Sequence, residues 1–244
     1  NGSTWSPLGS GTSGIVNALL VMPSGDLIAG GSFTSAGGGS AIYIARWDGA
    51  TWSPLGSGFD GGVTALALLP NGDRAVGGGV GVTTSVATWN GATWTPIGAS
   101  LTGTVRSLVV MPNGDIVAGG DFTYAGGVQA PGIARWNGVA WSGIGGGVNL
   151  NATVLALAQL ANGDIVAGGS FTSVGGVPAI GIARWNGTVW SPLGNGVQVQ
   201  NGLPLPGKVN ALVVLGTGDL VAGGSFNLAG GVSANNIARW NGTS

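Results

Sequence analysis

Asp60 and Asp121 are the residues of this chain best suited to acid–base chemistry, because no repeated pattern accounts for them. Two carboxylates on either side of a glycosidic bond can hydrolyse it, one protonating the leaving oxygen and the other activating water or attacking carbon. The remaining aspartates have another explanation. Asp26, Asp73, Asp115, Asp164 and Asp219 each follow a leucine by seven residues, and Asp48 stands where other copies of the same phrase carry asparagine. The 244 residues include no Glu, no His and no Cys. A Ser-His-Asp triad, a thiolate nucleophile, a disulfide frame and a zinc site therefore cannot be built. The Gly-Gly pairs, such as Gly30–Gly31, do not suit phosphate binding, since no helix follows to offer its N-terminus. No catalytic residue, metal site or cofactor is assigned.

Composition narrows the partners. The net charge is −1, so there is no basic footprint for nucleic acid. No apolar run reaches membrane-spanning length, so no membrane insertion is expected. Only 6% of residues are charged while 44% are hydrophobic, the reverse of a disordered chain. The near absence of Lys and Glu points to a secreted or cell-surface setting, and a monomer is expected.

The elements that would position any site come from a fivefold repeat. Each copy holds four strand-like segments, exemplified by VNALLVMP, GDLIAGG, IARW and TWSPLG, rich in Val, Ile, Leu, Trp and Thr and bounded by Gly, Pro, Asn or Asp. Asn-Gly or Asp-Gly joins the third segment to the fourth, which predicts a type I′ hairpin, and Pro-Asn-Gly-Asp joins the first two by similar turn chemistry. No segment has helical periodicity. Those two connections keep constant length. The other two vary: the second Gly of the pair precedes the IARW Trp by 16, 11, 16, 16 and 16 residues, and the WSPLG Trp precedes the next leucine by 14, 14, 14, 16 and 22. All insertion and deletion therefore falls at one end of a four-stranded meander.

Radially repeated four-stranded units of this length describe an all-β fold, a five-bladed β-propeller of antiparallel blades, with a β-helix as the alternative. The predicted blades are residues 14–56, 62–98, 104–145, 153–194 and 208–244 plus 1–9, in a single domain spanning 1–244. The chain opens on TWSPLG and ends on IARWNGTS, two halves of one hairpin, which predicts that Thr4–Leu8 pairs with Ile237–Trp240 and closes the ring.

The Gly30–Gly31 pair, Trp47 and Trp52, with their counterparts in other copies, resemble the kelch motif, with Trp standing where that family usually has Tyr. The phrases AGGSFTSAGG and IARWNG are also similar to repeats of bacterial surface proteins and of fungal cortical polarity-marker proteins. These resemblances imply a propeller with interaction roles and supply no catalytic residues. Arabinanase-type glycosidases also use five blades, so a glycosidase-like enzyme built on Asp60 and Asp121 is the alternative to a non-catalytic binding or scaffold module.

Within that frame, Arg46, Arg135, Arg184 and Arg239 are expected to pair with the turn aspartates in buried ion pairs, with Arg74 beside Asp73 as a substitute where the second repeat has Thr88. The ten Trp, together with Phe33, Phe122, Phe171 and Phe226, are expected to fill space between blades. The second repeat carries Val80 at that Phe position and has a shortened loop at 79–85. The positions two before the first-strand leucine differ most: Asn17, Thr64, Arg106, Leu155 and Asn210. They should ring the mouth at the variable end, with Arg106 as its one charge, and of these Asn17, Thr64, Arg106 and Asn210 are the candidate contacts for a protein or carbohydrate ligand. The longest variable connection is Asn195–Lys208.

Overall fold

The computed structural model describes residues 4–78, 85–201 and 203–242. Among these residues every regular element is a strand, and no helix is long and apolar enough to cross a membrane. Contacts divide the chain into two compact units, Asn1–Ser100 with the first two repeats and Leu101–Ser244 with the other three.

In the first unit, Ile15–Val21, Leu27–Ser32, Ile44–Trp47 and Trp52–Pro54 form one antiparallel sheet in sequence order. Val63–Leu68, Arg74–Gly78, Val86–Trp89 and Trp94–Pro96 form the next. In the second unit the third repeat is built the same way from Val105–Val110, Ile116–Gly120, Ile133–Trp136 and Trp141–Gly143. The fourth uses Val154–Gln159, Ile165–Gly169, Ile182–Trp185 and Trp190–Pro192. The fifth sheet has three strands, Lys208–Val214, Leu220–Ser225 and Ile237–Trp240. Residues 4–8 form no strand, and Trp5 is fully exposed.

β-branched residues and the alternation of side chains across the pleat place one apolar face of each sheet against the next. In the second unit Val117 and Ile133 of the third repeat pack with Val154, Leu157 and Phe171 of the fourth. In the first unit Ile28 and Ile44 pack with Phe59, Val63 and Val76. The first Gly of the pair makes this possible in the first, third and fourth repeats. A Cβ on Gly30, Gly119 or Gly168 would lie 2.3, 2.6 or 2.6 Å from a methyl of the next sheet's Val63, Val154 or Val209, each 0% exposed. That valine fills the hollow left by the missing side chain.

The turn chemistry differs from the predicted type I′. In the Asn-Gly turns only the glycine has positive φ, as at Gly138 (φ 91), and the asparagine acts through its side chain. Asn137 Oδ1 accepts the backbone N–H groups of Val139 and Ala140, both at 2.9 Å. At Pro-Asn-Gly-Asp, the Gly114 N–H bonds the Met111 carbonyl at 2.9 Å and Gly114 has φ 88. This is a proline-led turn followed by one left-handed glycine, since proline locks φ near −65° and cannot begin a type I′ turn.

Candidate functional site

Each first strand skips one residue in its pairing with the second strand. The ladder slips between Val16 and Ala18, Val63 and Ala65, Val105 and Ser107, Val154 and Ala156, and Val209 and Ala211. The residues skipped are Asn17, Thr64, Arg106, Leu155 and Asn210, the same five the sequence marks as most variable. A β-bulge leaves its extra residue outside the ladder and re-aims its side chain. Asn17, Arg106 and Asn210 are exposed; Thr64 and Leu155 are half-buried. The second Gly of the pair belongs to the same feature in four repeats, while a Cβ on Gly78 of the second repeat would instead meet the Phe59 ring at 2.5 Å. A Cβ on Gly31, Gly120, Gly169 or Gly224 would fall within 1.9–2.0 Å of the carbonyl oxygen of Ile15, Thr104, Thr153 or Lys208, where the bulged strand presses in. The sequence shows the variable position and the glycine pair but not that a bulge joins them.

The side chains at these bulges have neighbours. Asn17 donates through Nδ2 to the Val63 carbonyl at 3.1 Å, linking two sheets of the first unit. Thr64 Oγ1 donates to the Gly77 carbonyl at 3.3 Å. Arg106 is not a lone charge. Its Nη2 and Nε donate to Asp121 Oδ2 at 2.7 and 3.2 Å, and Asp121 Oδ1 accepts the Thr104 N–H at 2.6 Å. The carboxylate that the sequence offers for catalysis thus closes the Arg106 bulge. Asp121 also borders a pocket of about 290 Å³ with Thr123, Asn149 and Asn151. Asp60, in the other unit, lines a pocket of about 220 Å³ with Phe59, Trp94 and Pro96; the two rings lie 5.7 Å apart.

Within Asn195–Lys208 the described residues include two paired strands. Val197–Asn201 pairs with Leu203–Pro206 and also with Leu228–Ala229, the near strand of a small hairpin in the fifth repeat. Thr12, Leu101 and Val148 make the equivalent single bridges to Ala36, Ala125 and Val174 in other repeats, so the insertion extends a contact that they share. Residues 79–84, which include Val80 and almost all of the shortened loop, lie outside the described residues.

The recurring Arg–Asp pairs form as expected. Arg46 contacts Asp26 at 3.0 Å, Arg239 contacts Asp219 at 3.3 Å, and Arg135 and Arg184 contact Asp115 and Asp164. They are less buried than the sequence reading assumed: the Asp115 side chain is 8% exposed but that of Arg135 is 49%. Asp115 also accepts from Asn113 Nδ2 at 2.9 Å, so it retains a partner without the arginine. Arg135→Ala is accordingly expected to cost about 1 kcal/mol, not the several kcal/mol of a buried pair. A shift in urea midpoint equivalent to more than about 3 kcal/mol would restore the buried-pair reading. The Ser24 hydroxyl, followed by the Arg46 guanidinium, holds the Asp26 carboxyl below its usual range. Asp48, whose carboxylate accepts the Thr51 and Ala50 N–H groups, is lowered likewise. Arg74 makes no ion pair with Asp73 among the described residues. It sits where other repeats have Leu27, Ile116, Ile165 and Leu220, and its buried Nε has no partner.

The tryptophans facing each other across the third and fourth strands form tilted pairs, such as Trp136–Trp141 at 5.6 Å and Trp185–Trp190 at 5.4 Å. Trp52, Trp94 and Trp190 donate through Nε1 to the carbonyls of Leu8, Leu55 and Ile144 in the preceding copy of the WSPLG phrase. These contacts tie each of the three rings to the preceding repeat.

Three segments, residues 23–47, 112–138 and 160–187, match the family described as "Domain of unknown function (DUF5122) beta-propeller". No curated protein matches the chain. Among solved structures, virginiamycin B lyase from Staphylococcus aureus is similar with a TM-score of 0.61 at 10% identity, covering 94% of this chain and 68% of the lyase. The extracellular domain of a one-component system from B. thetaiotaomicron is similar with a TM-score of 0.59 at 11% identity, covering 98% of this chain. PorZ, a surface component of the type-IX secretion system of Porphyromonas gingivalis, has a TM-score of 0.55 at 14% identity over 86% of this chain. The chain spans 28% of the one-component system structure and 31% of PorZ. The repeated antiparallel sheets and these likenesses define a β-propeller repeat protein.

Proposed function

We propose that this is a non-catalytic binding propeller of kelch-like character, acting at a cell surface or after secretion. Its five repeats are five blades, and a Thr4–Leu8 strand supplies the fourth strand that the fifth sheet lacks. The ligand is taken at the end carrying the variable connections. The observation that carries this reading is the recurring bulge: the first strand of every repeat pushes one side chain out of its ladder, and that position differs between repeats while its neighbours change little (Asn17, Thr64, Arg106, Leu155, Asn210). A rigid scaffold with one divergent side chain per unit is how repeat folds present a recognition surface.

A carbohydrate is the favoured ligand. Asn, Thr and Arg side chains suit sugar hydroxyls, and the Phe59–Trp94 pair beside Asp60 offers an apolar surface next to an acceptor. The glycosidase alternative is weakened because both carboxylate oxygens of Asp121 are already engaged, Oδ2 by Arg106 and Oδ1 by the Thr104 N–H.

The test is a glycan array probed with the native chain and with a chain in which Ser10–Gly14 replaces Asn195–Lys208. A hit weakened at least tenfold by the replacement or by Arg106→Ala supports the site. Equal binding by all three proteins removes it, and release of reducing sugar from a bound glycan would favour the enzyme.

A further inference from the structure

The entrance to the fourth repeat departs from the pattern of the third, and the departures meet at one cavity inside the second unit. Two anchors on either side fix the comparison. Thr102 Oγ1 accepts the N–H groups of Thr123 and Tyr124 at 3.2 and 3.0 Å, and Asn149 Oδ1 accepts those of Thr172 and Ser173 at 2.9 and 3.1 Å. Farther along, the Thr104 carbonyl accepts the Asp121 N–H at 3.2 Å, and the Thr153 carbonyl accepts the Ser170 N–H at 3.0 Å. Between these anchors the third repeat has Gly103 alone, whereas the fourth has Leu150, Asn151 and Ala152. One glycine is therefore enough to make the connection.

The three residues form an arch. The Asn149 carbonyl accepts the Ala152 N–H at 3.1 Å, and Leu150 is 82% exposed at the tip. Asn151 sits in the left-handed region at φ 61, which asparagine tolerates better than most residues with a side chain. Left-handed residues other than glycine carry a backbone cost and gather at ligand sites. The arch borders the cavity of about 290 Å³, together with the buried Phe122 and Val148, Asp121 and Thr153. Asp121 is itself a departure, since Ser32, Ser170 and Ser225 follow the glycine pair in the other described repeats. At the matching junction of the first unit, Gly62 stands where Thr153 does, and a Cβ there would lie 3.3 Å from the Ser32 hydroxyl oxygen.

We propose that this cavity takes one neutral sugar ring. The proposal rests on the reading that the ligand is a carbohydrate, and it names the place and the kind of sugar. The volume is at the lower limit of ligand pockets, about 300 Å³, which suits one ring rather than a chain of them. Arg106 and Asp121, in contact at 2.7 Å, cancel in charge, so the site favours neither an anion nor a cation. An ionised Asp121 offers acceptors only, which suit hydroxyl protons and disfavour phosphate or sulfate oxygens. The Asn151 amide carries donor and acceptor together, and the Thr153 hydroxyl can act as either. A sugar ring presents neighbouring hydroxyls with the same double character, while its C–H face suits the apolar Leu150 and Val148.

The test compares the native chain with Asn151→Gly and with a chain in which a single glycine replaces Leu150–Ala152. Both changes suit the fold: glycine accepts φ 61 at position 151, and the replacement copies Gly103. Each protein is probed on an array of neutral, sialylated and sulfated glycans, and hits are titrated by calorimetry with the free monosaccharide of the terminal ring. The native chain is expected to bind glycans that share a neutral terminal ring. Asn151→Gly should weaken that binding at least threefold at unchanged melting temperature, and the replacement at least tenfold. Val189→Ala, far along the fourth repeat at its exposed Asn-Gly turn, should bind as the native chain does. If the replaced chain does not fold, Asn151→Gly decides. Neutral-glycan binding that Asn151→Gly leaves unchanged overturns this site and keeps the carbohydrate reading. Binding confined to sialylated or sulfated glycans overturns the neutral assignment. No glycan bound by the native chain overturns both.

Discussion

Gly169→Ala is expected to destabilise the second unit by about 3 kcal/mol, the upper range for forcing atoms into a packed interior. The added Cβ would lie 2.0 Å from the Thr153 carbonyl oxygen and 3.1 Å from the Val154 Cα, both backbone atoms of the bulged strand. No rotamer can relieve that clash; the first strand must move away, and Val154, 0% exposed, must leave the hollow at Gly119. Gly223→Ala is the control in the same motif. The added methyl meets nothing closer than 3.9 Å, so the expected change is within about 0.5 kcal/mol. Urea denaturation of both variants checks the contrast. Similar midpoints would mean that the glycine pair is not held by close backbone approach.

Phe171→Ala should cost about 3–5 kcal/mol, the range for deleting a buried aromatic ring. The ring is 0% exposed and packs with Val154, Val174 and Ala179, while the Phe171 carbonyl accepts the Gly181 N–H at 2.9 Å. The ring therefore ties the small Ser173–Val174/Val177–Pro178 hairpin to the main sheet. Truncation leaves a cavity beneath that hairpin, because the hydrogen-bonded backbone around it cannot collapse inward. Val189→Ala, at a side chain 55% exposed, should change stability by less than about 0.5 kcal/mol. A loss of under about 1 kcal/mol for Phe171→Ala would contradict the packing described.

Much of this was legible from residue spacing. The four strands of each repeat follow from short β-rich runs punctuated by Gly, Pro, Asn and Asp, because local chain stiffness and turn chemistry act over a few residues. The Arg–Asp partnerships were legible too, since antiparallel pairing fixes which residues lie opposite: Arg135 pairs in register with Val117, two residues past Asp115. The turn type was misread where Pro112 and the Asn137 side chain decide it. The burial of the ion pairs was overestimated, because a residue's type does not report how much water reaches its head group.

The sequence by itself determined an all-β chain of similar four-stranded units, with insertion and deletion confined to one end and a changing residue two before each first-strand leucine. Those properties depend on local propensity and period. The tertiary structure decided that the divergent residue is a bulge, that Gly31, Gly120, Gly169 and Gly224 face that bulge while Gly30, Gly119 and Gly168 face the next sheet's valine, and that Asp121 is bound to Arg106. It also decided that Asn195–Lys208 includes two paired strands, and that Trp5, alike in sequence to four buried or half-buried tryptophans, stands exposed. Identical phrases carry no record of their neighbours. Whether Val16 fills a hollow as Val63 does depends on which surface is brought against it, and only the packing of whole sheets settles that.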